Sequence, residues 1–163
     1  MTGNGIFYEE VVFVVREVET KEMGRIFEDI TVGEEIINET MSPVRKEQLV
    51  RYAGASGDFN PLHTDDAIGK AAGFGGVIAQ GMLMMGMAAA AVTNRIPKKS
   101  LNNLKVRFVG ATRPGDVVKV TGKVTDKRIE NDKGIVSCAL EVADQNDDIK
   151  VSGSFEAELP LEG

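Results

Sequence analysis

Several residue types are scarce in this chain of 163 residues, which has no tryptophan, one cysteine and one histidine. A lone cysteine cannot form an intramolecular disulfide, which favours a reducing compartment. A metal site usually needs several His, Cys or carboxylate ligands at matched spacings, and the only imidazole, that of His63, has only carboxylates near it. We therefore predict no metal site. His63 is the one side chain that titrates near neutral pH without perturbation, so function is first sought around it.

The chain also lacks an excess of basic residues and a long apolar run. It has 19 Lys and Arg against 25 Asp and Glu, a net charge of -6, and this argues against a nucleic-acid partner. The longest weakly polar stretch, residues 77–92, is shorter than the roughly 20 residues of a membrane span and is interrupted by glutamine and glycine. The first residues do not resemble a signal peptide. We expect no membrane segment and a cytoplasmic location.

Length and composition fit one domain with one core, since 42% of the residues are hydrophobic and 27% are charged. No repeat or linker interrupts the chain after residue 25, so residues 25–163 are predicted to form a single domain. Residues 1–24 would be an N-terminal extension. Within it, residues 11–15 strongly favour a strand, which would be either a partner surface or an extra edge strand.

Apolar and polar residues alternate in the C-terminal part of the chain, which is typical of half-buried strands. The pattern predicts strands at residues 104–108, 118–124, 136–142 and 151–159, with the thiol of Cys138 in the core. Turn-forming residues separate them, so consecutive strands are expected to pair as an antiparallel meander. An earlier strand is predicted within residues 26–37, interrupted at residues 32–34.

Two helices are predicted upstream of these strands. Residues 78–93 are small, Met-rich and apolar on almost every side, which predicts a helix that is buried all round and wrapped by the sheet. Residues 43–55 favour a surface helix with Ser42 as its cap. Its partial apolar faces would be formed by Val44, Leu49, Val50 and Ala53. The predicted fold class is therefore α+β.

The residues around His63 have the greatest chemical capability. Asn60 followed by Pro61 favours the start of a short helix, which places His63 in the first turn and Asp58 just before the cap. The carboxylate and the imidazole would then reach one pocket. A purely structural interpretation competes with this one: Asp58 bonds to turn amides, Asn60 caps, and His63 is a partly buried polar residue. Spacing alone favours the structural interpretation.

Gly81 lies where the apolar helix is expected to begin. The first amides of a helix have no intrahelical acceptor, so they would stabilise a carbonyl oxygen that gains negative charge. Gly81 either lets such an oxygen approach closely or is a small residue in tight packing, and the sequence favours neither. The glycine-rich residues 73–76 lack the spacing and the lysine of a phosphate-binding loop, so a flexible entry to the helix is expected.

Taken together, the Gly-Asp-x-Asn-Pro-x-His pattern of residues 57–63 and the segment 76–83 resemble the MaoC-like (R)-specific enoyl-CoA hydratases and the related (3R)-hydroxyacyl-ACP dehydratases. The resemblance covers about residues 25–160. It implies a hot-dog fold, in which an antiparallel sheet wraps a central helix, and a homodimer or higher homo-oligomer. It also implies an acyl-CoA or acyl-ACP substrate and no cofactor. The implied reaction is the reversible syn hydration of trans-2-enoyl thioesters to (R)-3-hydroxyacyl thioesters.

The same resemblance implies roles for individual residues. Asp58 and His63 would be the catalytic pair, with His63 as the base toward water and Asp58, kept protonated by an apolar pocket, as the donor to C2. The amide of Gly81 would be the oxyanion-hole donor, and Asn60 would shape the loop. The chain departs from many relatives at Gln80, where they carry a histidine, and glutamine cannot titrate.

Two other functions remain open at this point. One is a non-catalytic acyl-thioester-binding or scaffolding subunit of a heteromeric dehydratase, and the other is a hot-dog thioesterase. The methionines in the apolar helix could line an acyl tunnel, although a core role is the stronger interpretation. They are Met82, Met84, Met85 and Met87.

Overall fold

Five antiparallel strands form one sheet in the computed structural model of this chain, which describes residues 26–162. The strands are β1 (Glu35–Thr40), β2 (Leu101–Phe108), β3 (Lys119–Glu130), β4 (Lys133–Ala143) and β5 (Ile149–Leu159). Their order across the sheet is β1-β3-β4-β5-β2. The predicted strand at residues 11–15 lies outside the described residues.

The C-terminal strands confirm the period-two pattern of the sequence. In β4, Cys138, Leu140 and Val142 are buried, while Glu141 between them is exposed. The prediction that Cys138 lies in the core is confirmed, and burial raises the pKa of its thiol to about 12. The apolar face of the sheet therefore forms one side of the hydrophobic core.

The predicted meander is correct for β3, β4 and β5 but wrong for β2. Instead of pairing with β3, β2 pairs with β5, with Leu104 opposite Phe155, and β1 occupies the edge beside β3. The turn between β2 and β3 does not close a hairpin, because its backbone bonds to the segment before the first helix. Gly115 donates to the carbonyl of Val44 at 2.7 Å, and Val44 donates to the carbonyl of Asp116 at 2.9 Å.

The apolar helix packs on the sheet as α3 (Gly81–Thr93), the third helix along the chain. Met84, Ala88, Ala91 and Val92 are buried. Met82 is 56% exposed, and Gly86 and Ala90 are exposed as well. The prediction of a helix buried all round is therefore wrong for the single chain, because one sheet covers one face of a helix and leaves the opposite apolar face in solvent.

The first two helices, α1 (Lys46–Ser56) and α2 (Asp66–Ala71), lie between β1 and α3 in the chain. The prediction of Ser42 as the cap of α1 is wrong: Arg45 is the capping position, and its N–H is accepted by the side chain of Gln48 at 3.0 Å. Leu49 and Ala53 are buried as predicted, whereas Val50 is 58% exposed because it lies about 100° around the helix from Leu49.

Three single turns of 3₁₀ helix connect these elements, at Phe27–Asp29, Pro61–His63 and Lys98–Ser100. The early strand predicted within residues 26–37 begins only after the interruption, at Glu35, and the chain before it forms the first of these turns. Within residues 26–162, no helix combines the length and the apolar content that crossing a membrane requires.

Candidate active site

The loop that follows α1 carries three of the four predicted site residues. Gly57 ends α1 in the left-handed region, with φ of 75°, which glycine adopts without strain. Asp58 Oδ1 then accepts the N–H of Asn60 at 3.3 Å, and Asn60 Oδ1 accepts the N–H of Leu62 at 3.0 Å. The contacts of the structural interpretation are therefore present. They also fix the direction in which Asp58 and His63 point.

His63 is held in one tautomer by a backbone group. Its Nδ1 lies 2.8 Å from the carbonyl oxygen of Ile78, and since a carbonyl only accepts, Nδ1 carries the hydrogen. In the neutral ring, Nε2 then has a free lone pair. The His63 side chain is only 11% exposed, so protein atoms cover most of the imidazole.

Asp58 and His63 come together although four residues separate them in the chain. His63 Nε2 lies 3.6 Å from Asp58 Oδ2, a distance that is too long for a direct hydrogen bond. One water molecule held against both atoms would bond to each of them. The predicted apolar enclosure of Asp58 is absent in the single chain, where its side chain is 45% exposed.

An extended segment before α3 connects the loop to the helix. Ile78 donates to the carbonyl of Leu62 at 3.0 Å, and Ala79 donates to the carbonyl of Thr112 at 2.8 Å. Residues 78 and 79 are therefore extended, and α3 begins at Gly81, within the predicted range of residues 78–81. The segment therefore supports both the backbone and the ring of His63. The N–H of Ile78 bonds to the turn that contains His63, and the carbonyl of Ile78 accepts a hydrogen bond from the His63 ring.

Gln80 anchors the end of this segment to α1. Its Nε2 donates to the carbonyl of Leu49 at 3.0 Å, and the residue is 1% exposed. Its Oε1 has no hydrogen-bond partner among residues 26–162. Gln80 is therefore a buried contact between two helices.

Gly81 is the first residue of α3, so its N–H has no intrahelical acceptor. A Cβ at this position would lie 3.1 Å from the ring of Phe108, which supports the tight-packing interpretation of this glycine. Gly81 also lines a cavity, so the structure is consistent with both interpretations. The ring of Phe108 limits what can replace it.

The cavity beside His63 has a volume of about 430 Å³. Besides His63 and Gly81, its walls include Met84, Phe108, Thr112 and Lys150. Met84 is also 3% exposed and belongs to the core, so the core interpretation holds for it while its surface still reaches the cavity. Most of the lining is apolar, as is usual for a site that binds a small molecule.

Two residues that support the site were not identified from the sequence. Asp66 Oδ1 accepts the N–H of Val77 at 3.0 Å, and the hydrogen bond from Lys46, together with that backbone donor, holds the pKa of Asp66 below its ordinary value. Arg113 Nε donates to the carbonyl of Phe74 at 3.0 Å. In the sequence, Asp66 is one of several carboxylates near His63 and Arg113 lies in a predicted turn, and neither pattern indicates which backbone group the side chain binds.

Contacts of residues 73–76 correct the prediction that this segment is a flexible entry to the apolar helix. The glycines there have positive φ, 86° at Gly73 and 78° at Gly75, and Phe74 is bonded to Arg113 and to the carbonyl of Gly69. The segment is a turn with defined contacts, and its glycines provide backbone angles that other residues rarely adopt. Within residues 26–162, no group of three His, Cys, Asp or Glu side chains could hold a metal ion.

Comparisons with known proteins identify the family to which this fold belongs. A family model described as a MaoC like domain matches residues 28–146. The chain is 29% identical over 122 residues to a 3-hydroxybutyryl-CoA dehydratase of Methylorubrum extorquens, covering 73% of this chain and 76% of that protein. It is 43% identical over 73 residues to a peroxisomal hydratase-dehydrogenase-epimerase of Neurospora crassa, covering 45% of this chain but only 8% of that protein.

Among solved structures, the unliganded R-hydratase PhaJ1 of Pseudomonas aeruginosa is similar, with a TM-score of 0.72 and 29% identity over 84% of this chain and 86% of that one. The predicted hot-dog fold, an antiparallel sheet around a central helix, is confirmed by the sheet order and by this similarity.

Proposed function

The chain belongs to the MaoC-like domain family, and we propose that it is a hydro-lyase that adds water reversibly to trans-2-enoyl-CoA thioesters to give (R)-3-hydroxyacyl-CoA. One observation carries the proposal: His63 Nε2 faces Asp58 Oδ2 across 3.6 Å, while a carbonyl holds the hydrogen on Nδ1. This geometry suits two groups that act on one water molecule. The names of two relatives, a dehydratase of a CoA thioester and an R-hydratase, support the same chemistry.

The proposed reaction assigns one proton transfer to each side chain. The water oxygen attacks C3, and its proton passes to the free lone pair of His63 Nε2. The electrons of the double bond move toward the thioester, and Asp58 in its protonated form delivers a proton to C2. Because both groups act from one side, the addition is syn. The proton on His63 returns to the Asp58 carboxylate as the site resets.

The negative charge that develops on the thioester oxygen needs a donor. The N–H of Gly81 has no intrahelical acceptor and lies at the positive end of α3. A preorganised amide in this position stabilises an enolate-like oxygen without reorganisation. The acyl chain would occupy the apolar part of the cavity, along Met84 and Phe108.

We also propose that the active form is a homodimer in which the second copy covers the exposed apolar residues beside the site. Phe59 is 70% exposed, Met82 is 56% exposed and Phe108 is 46% exposed. A monomer rarely leaves several apolar side chains of this size around one site in water. A second copy that covers Phe59 would also reduce the exposure of the adjacent Asp58. Lower exposure of this carboxyl group favours its role as a proton donor.

The proposal is tested by following the loss of the conjugated enoyl-thioester absorbance with crotonyl-CoA, alongside an assay for free CoA thiol. Asp58→Asn keeps the Oδ1 acceptor for the N–H of Asn60, so the loop is retained while proton transfer is lost. We expect kcat to fall by about 10²- to 10⁴-fold, the usual contribution of a general acid or base. His63→Gln should have a similar effect.

The matched control is Asp65→Asn. Asp65 caps α2 by accepting the N–H of Ala67 at 2.7 Å, and asparagine caps a helix as well as aspartate does. This variant should keep wild-type activity. Near-normal hydration by Asp58→Asn would refute the assigned pair. Thiol release without hydration would support a thioesterase, and binding without turnover would support a scaffold subunit.

A further inference from the structure

Thr112 lies in the wall of the candidate site, and its hydroxyl group is buried without a partner in the described part of the chain. Thr112 is 3% exposed, and its Oγ1 has no hydrogen-bond partner among residues 26–162. A buried hydroxyl without a partner is unfavourable, and such groups are usually satisfied by protein, water or ligand. The buried hydroxyl therefore calls for a partner from outside residues 26–162.

The position of Thr112 indicates which partner that is. Its carbonyl accepts the N–H of Ala79 at 2.8 Å, so its backbone lies against the extended segment two residues before Gly81. Thr112 lines the same cavity as Gly81 and His63. Thr112 and Gly81, whose amide is free at the α3 N-terminus, therefore line one cavity, in which a thioester carbonyl would be held. The Oγ1 atom itself is buried, so a small movement of the side chain would present the hydroxyl to a ligand oxygen there.

The other unpartnered polar atom serves as a contrast. Gln80 Oε1 is also buried without a partner among the described residues, but Gln80 does not line the cavity, and its Nε2 already bonds to α1. Packing between two helices accounts for that side chain. Helix packing does not account for Thr112, because valine would fill the same volume without burying a hydroxyl.

We propose that the Thr112 hydroxyl is a second oxyanion-hole donor, which donates a hydrogen bond to the thioester carbonyl oxygen of the bound acyl-CoA beside the amide of Gly81. This inference rests on the proposed function, since the charge that it stabilises is the one that develops during hydration. Two donors hold an oxyanion in a defined direction, whereas a single amide leaves it free to rotate. Thr112 would then contact the substrate directly.

The test compares Thr112→Val and Thr112→Ser by steady-state hydration of crotonyl-CoA, by calorimetric binding of the unreactive butyryl-CoA and by thermal unfolding. We expect Thr112→Val to lower kcat by about 10- to 100-fold, somewhat less than the loss of a principal oxyanion donor. Its melting temperature should be equal to or above that of the wild type, because the unpartnered hydroxyl is gone. Thr112→Ser should retain most of the activity.

A purely structural role predicts the opposite order of the two variants. Valine would then be harmless, and serine, which leaves a methyl-sized gap, would be the more damaging change. Wild-type kinetics in Thr112→Val, with an active wild-type protein, would overturn the inference and leave the proposed function intact.

If the wild type binds butyryl-CoA but does not hydrate crotonyl-CoA, the proposed function fails. In that case, weaker binding by Thr112→Val than by Thr112→Ser would still support a hydrogen bond to the thioester. Equal binding of butyryl-CoA by the two variants, or no binding of it by the wild type, would overturn the inference about Thr112.

Discussion

Gly69 of α2 is the position where one added methyl group should most directly disturb the support of His63. A Cβ at residue 69 would overlap the carbonyl group of Gly76 and lie 3.0 Å from the nitrogen of Val77. Both neighbours are backbone atoms, so no rotamer change relieves the contact. The segment 76–77 must therefore move away from α2, and it leads directly to Ile78, which holds the ring of His63.

The free-energy cost of Gly69→Ala follows from two opposing effects. Overpacking against backbone costs about 1–3 kcal/mol, with this contact at the upper end, while alanine gains about 1 kcal/mol in helix propensity over glycine. The movement also stretches the hydrogen bond from Val77 to Asp66. We expect a net loss of about 2 kcal/mol, which corresponds to a fall in melting temperature of about 4–8 °C for a chain of this size.

Thermal unfolding and crotonyl-CoA hydration, measured on the same preparations, test this prediction. Gly54→Ala is the matched control, because Gly54 lies within α1, a Cβ there would meet nothing within 4 Å, and its φ is not positive. That variant should gain up to about 1 kcal/mol and keep its activity. Gly69→Ala should lose both stability and kcat. Equal or higher stability than the wild type in Gly69→Ala would refute the close backbone contact.

Two further predictions concern buried groups. Because burial raises the pKa of Cys138 to about 12, the native protein should resist thiol reagents and react only when unfolded; labelling of the folded protein at neutral pH would contradict this. Lys150 bonds to Asp144 at 2.9 Å, and the side chains are 8% and 5% exposed, so Lys150→Met should lower stability at neutral pH by about 2–3 kcal/mol, the cost of leaving a buried acceptor without its donor. The hydrogen bond from Lys150 lowers the pKa of Asp144 below its ordinary 3.8. The stabilisation from this ion pair is therefore complete above pH 3.8 and is lost as the pH falls through the lowered pKa of Asp144. Chemical denaturation as a function of pH should therefore show the two proteins converge in acid, and a constant difference would contradict the role of the carboxylate.

Local patterns predicted the individual elements better than their pairing. Alternation identified the β3–β4–β5 hairpins, because neighbouring strands in sequence pair through short turns. The same reasoning was wrong for β2, since nothing in its own residues shows that the following turn bonds to Val44. The burial of α3 was overestimated for a related reason: the apolar composition of a helix does not show which of its faces its own chain covers, and the sheet covers only one.

Residue types and spacing were enough to predict an α+β domain, a central apolar helix and Asp58 and His63 as candidates for one site. They indicated chemistry because few side chains transfer protons near neutral pH, and this chain has one imidazole. The tautomer of His63, the buried contact of Gln80 and the unpartnered hydroxyl of Thr112 depend on bonds between segments 15 to 33 residues apart. Such contacts follow from how the segments pack together in three dimensions, and local sequence patterns do not encode them.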